Sequence, residues 1–181
     1  SIAEHSPDLL IFDPMYYMCK ALGVKNLGYD AIVSLLFRRN WHGSRRQGSY
    51  QWDIYAHHGH GGGRKIGGKM NRVFELAGSI DADCYLMGHV HDKVISEADR
   101  WYVSRSNGVI VPRLRKLHFI LTGSFLQTYK TGFVSYAERA AFPSTSMVVA
   151  KIEITISTSS WNLHGRRHEA QMDQLKVVKS L

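Results

Sequence analysis

Between Tyr50 and Lys93 two strand-like runs each end in histidine beside glycine, and this stretch constrains the fold more than any other. "YQWDIYA" alternates aromatic and β-branched residues with others over strand length and runs into "HHGHGGG". "DADCYLMG" is a short apolar run that leads into "HVHDK". In "KMNRVFELAG", which lies between them, Met70, Val73, Phe74 and Ala77 stand at i, i+3, i+4 and i+7, so the spacing predicts a helix. Gly78 is its expected C-cap. The order is therefore strand, His-rich loop, helix, strand, His-rich loop. If the two strands are parallel neighbours, the helix is their crossover and both loops lie at one sheet edge. Ligands of α/β sheets bind beyond such carboxyl ends.

The flanking sequence is less regular. "DLLIFDPMYYMCKAL" suggests a short helical region interrupted around Pro14, and "YDAIVSLLF" has apolar residues at both helical and strand spacings. "RRNWHGSRRQGSY" reads as an exposed basic loop. Beyond residue 93, "WYVSRSNGVIV", "KLHFILTGSFL", "TGFVSYAER" and "MVVAKIEITIS" suggest three or four strands, some antiparallel. The fold class expected is α/β or α+β, with one domain over residues 1–156. Residues 157–181 form a polar, basic tail with one marginal helix from about Arg166.

Bulk properties exclude several classes. The 181 residues suffice for a substantial core, and no apolar run reaches the roughly 18 to 20 residues that cross a bilayer. Cys19 and Cys84 are too few for a disulfide framework, and no secretory signal is visible, so a cytoplasmic setting is expected. The net charge of +8 favours phosphorylated or polyanionic partners, nucleic acid among them.

Five of the ten histidines fall in the two loops. Neutral imidazole is a common ligand for zinc, manganese, iron and nickel. In an extended "GHVH", His89 and His91 would point to the same side and reach one metal cluster. Against this, a single HxH or HHxH is more often loop or satisfied core than ligand. The glycine run is not followed by Lys-Ser or Lys-Thr, so it is no nucleotide-binding P-loop.

"AHHGHGGG" followed after a helix by "DCYLMGHVHDK" resembles the C-terminal half of calcineurin-like metallophosphoesterases. "TGSFLQTYKTGFVSYAERAAFPSTSMVVAKIEI" resembles the closing β-segment of phage and bacterial members, so the likeness covers roughly residues 1 to 156. It implies a partial β-sandwich flanked by helices, with the N-terminal βαβ half missing. It also implies two divalent ions (Mn²⁺, Fe²⁺, Zn²⁺ or Ni²⁺) and hydrolysis of a phosphate mono- or diester by metal-activated water. By position His58 and His89 would bind one metal and His91 the other. His60 and Arg64 would contact substrate, although for Arg64, as for Lys65, a solvated loop charge is the more ordinary reading. His57 has no family role and is expected to pack in the core.

The sequence departs from that family at its start. The Asp-x-His, Gly-Asp-x-x-Asp and Gly-Asn-His motifs, which would supply the bridging carboxylate and further ligands, are not found in it. Weak metal binding and little or no phosphoesterase activity are expected of the chain alone. Two other classes compete. A nucleic-acid-binding module would use the "RRNWHGSRR" loop, with Trp41 and His42, and the "HGRRHEA" tail. A structural zinc protein is disfavoured because the cysteines are isolated. His164 and His168 stand at i and i+4 but lack the Glu of a zinc-protease motif.

Overall fold

The computed structural model describes residues 13–38, 49–61, 65–106, 108–125, 129, 132, 136–139, 147–163 and 166–179. The fold is α+β and mostly sheet. Its elements are α1 (Pro14–Leu22), β1 (Asp30–Arg38), β2 (Ser49–His57), α2 (Ile66–Ser79), β3 (Cys84–Met87), β4 (Lys93–Ser106), β5 (Val109–Ser124), α3 (Tyr136–Arg139), β6 (Val148–Leu163) and β7 (Arg166–Lys179). The strands form one mixed seven-stranded sheet in the order β1-β2-β3-β5-β6-β7, with β4 paired to β5.

β2 and β3 are parallel neighbours, with His57 opposite Met87, and α2 joins them as anticipated. The helix is a poor one by propensity. Gly67, Gly68 and Gly78 each cost about 1 kcal/mol relative to alanine, and Lys65 at the N-cap makes no side-chain capping bond. Burial holds it in place. Met70, Val73 and Ala77 pack with Tyr55, Tyr85, Met87, Phe119 and Leu121 on one sheet face, at roughly 1.5–3 kcal/mol for each large side chain removed from water. The opposite face centres on Trp52, Cys84 and Ile120, and Ala150, Ile152 and Ile154 of β6 pack against it.

Several expectations need correction. Pro14 starts α1 instead of interrupting it: Asp13 caps the backbone N–H groups of Met15 and Tyr16, and proline at the first helical position sacrifices no hydrogen bond. "YDAIVSLLF" resolves as β1, because antiparallel pairing with β2 selects the strand period. α2 runs past Gly78 to Ser79, and the extended Ile80 is its C-cap. Within "TGFVSYAER", expected as a strand, residues 136–139 form a helical turn. The tail helix expected from Arg166 is β7, whose backbone pairs along β6 from Ala150 to Leu163. β6 itself runs from Val148 to Leu163. No helix among the described residues is long and apolar enough to cross a membrane.

Candidate metal centre

β2 and β3 end side by side, and their loops touch through backbone. The Gly88 N–H donates to the His57 carbonyl at 3.1 Å, which extends the parallel pairing by one step. Beyond it the loops are packed so closely that a Cβ on Gly59 would meet the Gly88 carbonyl oxygen and Met87 Cγ, both at 2.9 Å. Gly59 also has φ +83°, a conformation that strains other residues. The Gly59 N–H donates to His57 Nδ1 at 2.7 Å, so His57, half-buried, braces the turn.

This contact brings His58 and His89 together. His58 Nε2 lies 3.3 Å from His89 Nδ1, with ring centroids 5.2 Å apart and planes inclined at 70°. Two imidazole nitrogens on one tetrahedral zinc, each at about 2.0–2.1 Å, are separated by roughly 3.3–3.4 Å. The pair therefore fits two vertices of a coordination tetrahedron. The same spacing also suits an N–H···N hydrogen bond between neutral rings, with the tautomer deciding which ring donates. Both rings are exposed and open to a ligand.

His91 is placed differently from the expectation of an extended "GHVH". The Val90 N–H donates to the Gly88 carbonyl at 2.8 Å, which closes a γ-turn on His89, and His89 and His91 have φ of 66° and 60°. Non-glycine residues with positive φ are uncommon, and two in three residues concentrate backbone strain at the loop. The turn, and not the alternation of a strand, sets where each ring points. Among the described residues no group of three or more His, Cys, Asp or Glu side chains is placed to hold a metal ion. The structure thus pairs His58 with His89 and does not gather His91 with them into a three-residue cluster.

Of the substrate candidates, His60 is exposed, with its ring 6.5 Å from that of His57, and Arg64 lies outside the described residues. Lys65 is exposed at the start of α2. The basic loop from Arg39 to Arg46 and His164 also lie outside the described residues, and His168 is placed only as a backbone position in β7.

Sequence reasoning missed the residues that hold the loops. Lys69 of α2 is buried; its Nζ donates to the Val90 carbonyl at 3.2 Å and forms an ion pair with Asp92. Arg72, three residues on along α2, donates to the His60 carbonyl. One helix therefore holds both loops. Its signal in the sequence is a lysine that shares the 69, 73, 77 stripe with Val73 and Ala77, where an apolar residue would be expected. On the side toward β1, the His58 N–H donates to the Tyr29 carbonyl at 2.8 Å, and the Tyr29 ring lies 6.0 Å from that of His58.

A second group of charges occupies the other end of the sheet. Arg115 pairs with Asp81 and lies 3.6 Å from Asp83, whose carboxyl pKa is raised by burial against the opposing pull of the Asp53 N–H and Arg115. His118 Nδ1, buried, stands 3.3 Å from Glu97 Oε1 without forming a hydrogen bond. Asp81 and Asp83 precede β3 whereas His89 follows it, so this group stands at the end of the strand away from the histidine loops and ties β5 to the start of β3.

Among known proteins, no family model, no curated protein and no solved structure matches this chain.

Proposed function

We propose that the chain contributes the histidine ligands of a divalent-metal-dependent phosphoesterase that acts on a phosphate-ester substrate. The reading is carried by the apposition of His58 and His89, two imidazole nitrogens 3.3 Å apart on loops that leave adjacent parallel strands. His58 and His89 would hold one ion, and His91 would serve a second. The bound ions would supply the Lewis acidity that ester hydrolysis needs.

The protein's own part is positional. The Gly59–Gly88 contact sets the interval between loops, the γ-turn aims His89, and Lys69 holds the carbonyl that follows it. Neutral imidazoles contribute no negative charge, and the family's bridging carboxylate motifs are not found in this sequence. Weak metal affinity and little turnover of a model phosphodiester follow from that charge deficit.

Equilibrium dialysis with Mn²⁺ or Zn²⁺ tests the proposal. His58→Ala and His89→Ala should each remove uptake at the paired position, and His91→Ala should lower the total stoichiometry. Uptake unchanged in both His58→Ala and His89→Ala would rule the site out.

A further inference from the structure

We propose that β1 is a self-pairing edge through which two copies of this chain form an antiparallel dimer with a continuous sheet. β1 ends the strand order and, among the described residues, pairs only with β2. The Tyr29 carbonyl accepts from the His58 N–H, so it points toward β2. Backbone groups alternate along a strand, which turns the N–H and C=O of Asp30, Ile32, Ser34, Leu36 and Arg38 to the edge that no other described strand pairs. Edges are normally blunted by proline, lysine, bulges or inward-pointing charges. The nine residues "DAIVSLLFR" have none of these, and their two charges stand at the ends.

The strand is complementary to itself about Ser34. Paired antiparallel with a two-fold axis there, Asp30 falls opposite Arg38 of the second copy, and Arg38 opposite its Asp30. Ile32 falls opposite Leu36, Val33 opposite Leu35, and small Ala31 opposite large Phe37. Ile32 and Leu36, 61% and 51% exposed, would cover one another on a single face. Cross-strand pairs of this kind, apolar with apolar and acid with base, are those that stabilise antiparallel strands. Every outward-facing backbone group of β1 would gain a partner.

The test joins oligomeric state to register. Analytical ultracentrifugation of the full chain should show a dimer. Asp30→Arg or Arg38→Asp alone places like charges opposite each other twice per dimer and should weaken it about tenfold, whereas the double charge swap should restore it. In a Cys19→Ser background, Ser34→Cys should give a disulfide-linked dimer on mild oxidation, because directly opposed Cα atoms about 5.5 Å apart suit the bond. Ile32→Cys should not cross-link, since four strand positions, roughly 13 Å, would separate the two copies of residue 32. A wild-type chain that stays monomeric at about 100 μM, well above a micromolar dissociation constant, overturns the proposal. So does a dimer in which Ile32→Cys cross-links as readily as Ser34→Cys. None of these readouts depends on metal binding.

Discussion

Gly59 lies against Gly88 so tightly that a methyl group on Gly59 would sit 2.9 Å from the Gly88 carbonyl oxygen. Neither that carbonyl nor the backbone of Gly59, at φ +83°, can yield cheaply. Gly59→Ala should therefore destabilise the protein by about 2 kcal/mol or more in urea melts, and should lower metal uptake by separating His58 from His89. The same replacement in α2 should have the opposite sign. Nothing lies within 4 Å of a Cβ on Gly78, so Gly78→Ala should stabilise by roughly 0.5–1 kcal/mol. Equal effects from the two variants would refute the contact.

Lys69 and Asp92 form an ion pair in which both side chains are largely hidden, 11% and 19% exposed. Lys69→Met leaves the Asp92 charge and the Val90 carbonyl without that partner, at about 2–4 kcal/mol. Lys69→Met combined with Asp92→Leu should recover part of the loss, because the double variant removes both charges. A thermal-melt cycle over the four proteins measures the coupling, and additivity would show that the pair does not act as a unit.

His118 is 3% exposed, and burial holds its imidazole pKa below the usual value; Glu97 opposes the shift and Lys116 adds to it. As pH falls through about 6.5 the unfolded chain takes up a proton that the folded chain resists, so stability should decline toward acid. His118→Leu should flatten that part of the pH–stability curve. An identical slope in wild type and variant would assign the decline to other groups.

Burial pushes the Cys84 thiol up to about 12, with Asp83 adding to the effect. Cys84 is fully buried, whereas Cys19 is partly exposed. A thiol-reactive dye should therefore modify Cys19 quickly in the native protein and reach Cys84 only in denaturant. Above pH about 9 the unfolded chain releases the Cys84 proton while the folded chain keeps it, so stability should fall toward pH 12, less steeply in Cys84→Ala. Rapid native labelling of Cys84 would contradict the packing of Trp52, Cys84 and Ile120.

The β2–α2–β3 unit was legible because its signal is hydrophobic period, and period survives any tertiary arrangement. The convergence of the two histidine loops follows from it. The handedness of the backbone at His89 and His91 was not legible, because nothing in "GHVH" distinguishes a γ-turn from an extended segment. At Pro14 the same residue type can stop a helix or open one, and only the cap at Asp13 decides. "WYVSRSNGVIV", read as one strand-like run, is instead divided between β4 and β5, with Ser106 paired to Val109 and Gly108 at φ 79°; the Asn-Gly pair within it was the overlooked hairpin signal. β7 escaped notice because its pairing with β6 is a backbone property that a polar tail does not advertise.

Lys69 and Arg72 stand one turn apart on α2, and each grasps a main-chain oxygen from a different loop. The helix therefore acts as a yoke. A shift of α2 would pull on both imidazole-bearing segments at once, while the contact between Gly59 and Gly88 keeps the gap between them. An ion gripped by the two rings would in turn restrain that helix, and slowed amide exchange along α2 would register its arrival from behind the site.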